Sequence, residues 1–141
     1  MEKKYKELLL KDLCARLPYG IKASYYGVEE ECETWDEIDG VTLGEDFGVY
    51  VDICQYSLPI ECIKPYLFPL SIMTEEQKKY ISNKCGINEE FYFEIDPNLG
   101  EYFVELGDTV DFIDWLNKNH FDYRGLIDKS LALDANGLNI Y

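Results

Sequence analysis

The stretch Asp108-Thr-Val-Asp-Phe-Ile-Asp-Trp-Leu-Asn-Lys-Asn-His-Phe-Asp-Tyr-Arg-Gly-Leu-Ile-Asp-Lys-Ser-Leu-Ala-Leu133 has the clearest helix-then-turn grammar in the chain. Phe112, Leu116 and His120 recur every four residues, and Ile113 fills the stripe. That spacing predicts an amphipathic helix that starts at Asp108 or Thr109 and runs to Asn119. Asp111 and Asp114 suit its positive N-terminal half, and Asp114 lies one helical turn before Lys118. Asp122-Tyr-Arg-Gly125 reads as the turn that follows. The stretch also holds the only His, one of the two Trp and one of the two Arg of the sequence.

Upstream, Thr74-Glu-Glu-Gln77 is a capping box that opens a second helix, with Gly86 as its C-terminal stop. Before it, Ile60 to Met73 carries Pro65 and Pro69, which rule out a helix interior or a central strand and leave an extended or turning segment. A third helix is predicted over residues 2–16, where Tyr5, Leu9 and Leu13 form a stripe that Leu10 and Cys14 extend. Pro18 and Gly20 end it. Strands are expected at Ile21 to Tyr26, Cys32 to Ile38, Val41 to Leu43, Val49 to Tyr56, Phe91 to Ile95 and Tyr102 to Leu106, with Asp39-Gly40 as a hairpin turn. The tail from Asp134 to Tyr141 reads as polar and loose. The fold class is therefore α+β: a single domain over residues 1–141, with an antiparallel sheet of about four to six strands covered by about three helices.

Charge narrows the function. The chain has 141 residues, a net charge of -15 and 47% apolar residues, too apolar for disorder. No Lys or Arg occurs from Ala23 to Ile63, where Glu29, Glu30, Glu31, Glu33, Asp36, Glu37, Asp39, Glu45, Asp46, Asp52 and Glu61 fall. A second window without basic residues runs from Cys85 to Asn117. Direct nucleic-acid binding and attraction to anionic lipid both need cations, so neither is expected. No segment has the length and apolarity of a membrane span, and the N-terminus lacks a secretory signal pattern. Five Cys without a CxxC pair point to reduced thiols and a cytoplasmic location.

Three stretches carry a resemblance when taken together: Lys11-Asp-Leu-Cys-Ala-Arg-Leu-Pro-Tyr-Gly-Ile21, Ile63-Lys-Pro-Tyr-Leu-Phe-Pro-Leu-Ser-Ile-Met-Thr-Glu-Glu-Gln77 and Asp114 to Leu133. The chain resembles a family of small proteins from gut Bacteroidetes and the phages and prophages that infect them. Phe68 and Ile72 are more apolar than that pattern. The resemblance implies a cytoplasmic protein with a link to mobile elements, and no reaction, cofactor or site.

Three functional readings follow. The first is a non-catalytic interaction domain whose acidic region, with Glu29, Glu30, Glu31, Glu33, Asp36 and Glu37, meets a basic partner protein by presenting DNA-like charge. The second is a small hydrolase or transferase in which His120 acts with a nearby Cys or with a carboxylate, such as the adjacent Asp122, as orienter. The third is self-association through the apolar segment Tyr66 to Leu70, with Tyr66 and Phe68 as contacts. A single His removes any two-His metal site, the carboxylate runs lack EF-hand spacing, and no cofactor motif is present, so no metal or cofactor is expected.

Overall fold

A computed structural model describes residues 1–27, 35–45, 48–85 and 109–141. The expected strands at Phe91 to Ile95 and Tyr102 to Leu106, the Gly86 cap and Glu29, Glu30, Glu31, Glu33 and Asp46 lie outside those residues.

Helix α1 spans Lys3–Arg16 and buries Leu9 and Leu13, as the four-residue spacing requires. A single 3₁₀ turn, Leu17–Tyr19, carries Pro18, and Gly20 stops the chain in the left-handed region at φ +70°. Strands β1 (Lys22–Tyr25), β2 (Asp36–Leu43), β3 (Val49–Ile53), β4 (Tyr56–Pro59), β5 (Ile63–Leu67) and β6 (Leu133–Asp134) form one sheet in the order β4-β3-β2-β1-β5-β6. Helices α2 (Glu75–Cys85) and α3 (Thr109–Lys118) complete the α+β fold. The Thr74 capping box forms as expected: Gln77 N–H donates to Thr74 Oγ1 at 3.2 Å, and Thr74 N–H donates to Gln77 Oε1 at 2.9 Å.

Four local expectations are corrected. Asp39-Gly40 is not a hairpin turn. It is an irregularity inside β2, where the register against β3 slips between Ile38 and Gly40 and leaves Asp39 as the extra residue. The tight hairpin lies instead at Cys54-Gln55, both at positive φ, and it splits the expected Val49 to Tyr56 strand into β3 and β4. Pro65 does sit in a strand with neighbours on both sides. Tyr26 N–H donates to Cys62 O at 3.2 Å, so by antiparallel alternation Ala23 and Pro65 form a non-hydrogen-bonded pair. The N–H that Pro65 lacks would point away from β1, and β6 begins to pair only at Tyr66. Lastly, the tail is pinned. β6 adds a parallel pair to an otherwise antiparallel sheet, and Ala135 and Ile140 are buried.

The sheet has an inner and an outer face. Ala23, Ile38, Val51, Ile53, Ile63 and Leu67 point inward against Leu9 and Leu13 of α1. A second apolar cluster joins Met73 and Ile81 to Phe112, Leu116, Phe121 and Tyr123. A third and smaller one consists of Tyr66, Ala135 and Ile140. No helix of the described residues is long and apolar enough to cross a membrane.

Candidate functional site

Strand alternation builds the acidic surface. Ile38, Val41, Val51 and Ile53 turn inward, so Glu37 and Asp52, their neighbours, face out, and the slip in β2 pushes Asp39 out beside them. Asp36, Glu37, Asp39 and Glu45 are exposed. Asp52 lies opposite Gly40 and accepts a hydrogen bond from Thr42 Oγ1 at 3.0 Å. Lys22 stands across the ladder from Glu37, but its charge is engaged elsewhere. Its Nζ donates to Ile140 O at 2.8 Å and lies 4.8 Å from the ring centroid of Trp35. Among the described residues no cation pairs with Asp36, Glu37, Asp39 or Glu45. Of the six acidic candidates, the structure describes Asp36 and Glu37, both exposed but on opposite sides of β2: Asp36 lies opposite the inward-facing Ala23 and Glu37 opposite Lys22. The other four lie outside the described residues.

The stretch around His120 behaves in the opposite way. Arg16, fully buried, donates from Nε to Asp12 Oδ2 at 2.8 Å, from Nη2 to Asp12 Oδ1 at 3.0 Å and from Nη2 to Phe121 O at 2.8 Å. Arg124 also pairs internally: its Nε lies 3.3 Å from Asp12 Oδ1, at ion-pair distance but not aligned as a hydrogen bond. The Tyr123 ring lies against both guanidiniums, 5.4 Å from that of Arg16 and 4.8 Å from that of Arg124. Asp122 accepts the backbone N–H groups of Leu126 at 2.9 Å and Ile127 at 2.8 Å, which ties down the turn. Burial pushes the Asp122 carboxyl up from its ordinary value, although those two N–H groups pull the other way.

His120 closes α3. Phe121 N–H donates to Leu116 O at 3.0 Å and His120 N–H to Asn117 O at 3.1 Å, the bond pair of a Schellman cap with His120 at the left-handed position, φ 58°. A residue with a Cβ is strained there by about 1–2 kcal/mol. The ring is seated by a contact that the sequence did not signal: it stacks on Tyr141 with centroids 3.9 Å apart and planes 13° apart. His120 is 6% exposed. Burial, with smaller contributions from Arg16 and Lys22, pushes its pKa down to about 4, so the ring is neutral at pH 7 and a weak base. A cleft of about 280 Å³ does lie nearby, between α2 and α3, lined by Tyr19, Tyr80, Trp115 and four charged residues, but His120 does not line it. Catalysis by His120 therefore gains no support from its surroundings.

The remaining candidates are also placed. Tyr66 is covered by Ala135 and Ile140 of the same chain, and Phe68 is half-buried between two apolar clusters. The surface expected to self-associate is thus largely covered from within. Cys14 is exposed, and Cys54 and Cys62 are half-buried. Among the described residues no three His, Cys, Asp or Glu side chains gather as a metal site would require.

Comparison with known proteins adds no relative: no family model, curated protein or solved structure matches the chain. Sequence reasoning missed Asp12, Arg16 and Tyr141. For the first two a signal existed, because Asp12 and Arg16 stand one turn apart on the same helix face as Leu9 and Leu13. For Tyr141 there was none.

Proposed function

We propose that the protein is a non-catalytic interaction domain whose outer β2–β3 face meets a basic partner protein. The reading is carried by the contrast in charge pairing. The carboxylates inside the fold are hydrogen-bonded or ion-paired, whereas Glu37 and Asp39 face water on the outer side of β2 and pair with no cation among the described residues. Antiparallel sheets commonly leave one face wet, and here that face is acidic. Unpaired like charges repel each other, and a cationic surface relieves that repulsion on binding. A phage or prophage origin, which the sequence resemblance suggests, would supply such a partner among host nucleic-acid-binding proteins.

The test separates this face from bulk charge. A protein at -15 binds any polycation to some degree. The double variant E37K/D39K is therefore compared with E76K/D128K, which changes the net charge equally on exposed positions elsewhere. Both are titrated against one Lys- and Arg-rich peptide at several salt concentrations. The expected result is a loss of affinity of about tenfold or more for the β2 variant and under about threefold for the control, with the difference shrinking as salt rises. Equal losses would reduce the reading to non-specific charge.

A further inference from the structure

The tail from Leu133 to Tyr141 is attached by a few contacts to β5 and β1, and at its end Tyr141 lies on one titratable ring. Leu133–Asp134 pairs with Tyr66 and Leu67, and Ala135 N–H donates to Leu67 O at 2.9 Å. Lys22 Nζ donates to Ile140 O at 2.8 Å. The Tyr141 hydroxyl donates to Tyr66 O at 2.8 Å and accepts Lys22 N–H at 3.1 Å, while its ring lies flat on His120. The apolar cluster under the tail is small, and Phe68 links it to the cluster between the helices. We propose that residues 133–141 form a latch that opens when His120 takes up a proton, uncovering Tyr66 and the Leu67 carbonyl edge of β5 while the rest of the fold persists.

The groups around His120 give the reason. Arg16 of α1 and Lys22 of β1 already bring positive charge to it. Asp12 is committed to Arg16 and Arg124, and Asp122 to the Leu126 and Ile127 N–H groups. Glu37 and Asp12 reach Tyr141 only through its electrostatic field. The Tyr141 ring face attracts a cation weakly. His120 Nδ1 has no acceptor among the described residues. A proton placed on the ring thus meets cations and no free carboxylate, and lifting Tyr141 lets water reach it.

The sign follows from the two protonation constants. The closed latch holds the His120 pKa near 4, against an ordinary 6.5 once the ring is in water. Above pH 6.5 neither form binds the proton and the latch keeps its full stability. Below pH 6.5 only the open form binds it, so each pH unit down to about 4 moves the equilibrium about tenfold toward open. From pH 7 to pH 5 the shift is about 20-fold. The sequence pI is about 4.3, so at pH 5 the protein is still anionic and soluble enough to measure.

Amide hydrogen exchange of the intact chain at pH 7 and pH 5, corrected for intrinsic exchange rates, tests the latch. Ala135 N–H reports on the tail and Val51 N–H on the sheet. The expected result is a fall in Ala135 protection of about 20-fold while Val51 keeps its own. His120→Phe keeps a ring to stack and cannot take up a proton, so Ala135 protection should become independent of pH. His120→Asn, a residue at ease in the left-handed region, serves the same purpose should the Phe variant not fold. Tyr141→Ala should lower Ala135 protection already at pH 7. Loss of protection at Ala135 and Val51 together, no loss at either, or an undiminished loss in the non-titrating variant each overturns the proposal.

Discussion

Asp12 and Glu37 are the same chemistry under opposite conditions. Asp12 sits on α1 with no exposed surface and both oxygens on the Arg16 guanidinium, with Arg124 alongside. Glu37 sits on β2, in water, with its cross-strand Lys22 occupied elsewhere. The net charge of -15 hides this division. A carboxylate taken from water must be paired, so the fold spends both of its Arg residues on Asp12. Asp122 is held by backbone N–H groups instead, while on β2 Glu37 and Asp39 stay on the outer face, where hydration stabilises them. The buried set holds α1 against the turn after α3, and the exposed set is free to act on something else.

The largest expected effect falls on the buried side. Arg16→Ala leaves Asp12 without its main partner and Phe121 O without its donor, and should cost about 3–5 kcal/mol by urea denaturation. The double replacement Asp12→Leu with Arg16→Met removes both charges and keeps the volume. It should restore most of that loss, because a buried ion pair is often no better than an apolar pair of similar shape. If Arg16→Ala cost under about 1 kcal/mol, the cluster would be hydrated and the contrast with β2 would collapse.

Asp122 comes next. Its carboxylate holds the backbone N–H groups of Leu126, fully buried, and Ile127, half-buried. Asp122→Ala strands both donors, for about 2–3 kcal/mol. Asp122→Asn keeps one acceptor oxygen and should cost roughly half as much. Thermal unfolding monitored by Trp fluorescence reads both. Equal costs for the two variants would mean that the carboxylate's charge, not its two acceptors, holds the turn.

How far the sequence could be read follows the same division. Helices α1, α2 and α3 were legible because apolar spacing, the Thr74 box and Pro18 are local signals that the fold keeps. The exposed acids of β2 were legible because strand alternation and the absence of basic residues are also local. The hairpin at Cys54-Gln55 was not, since neither residue is a usual choice at positive φ. Asp39-Gly40 has turn-like wording but lies in a paired strand, where β3 supplies partners on either side of the slip. The tail failed for a different reason. Ala135, Ile140 and Tyr141 look unremarkable in sequence, and only contacts with Tyr66, Lys22 and His120 give them a place. Long-range pairing also hid Arg16, whose partner Phe121 is far along the chain.

The smallest expected effect completes the contrast. Glu37→Gln with Asp39→Asn removes two charges from β2 without changing side-chain size. Neither carboxylate ion-pairs among the described residues, so stability should move by no more than about 0.5 kcal/mol. The sign should be toward greater stability at low salt, because two like charges leave a crowded acidic face, and the gain should fade as salt screens the rest. A loss above about 1 kcal/mol would show that these acids hold the sheet together. In that case binding losses in charge-reversal variants would report on damaged structure. A near-zero change leaves affinity for a cationic peptide as the property that the β2 carboxylates govern.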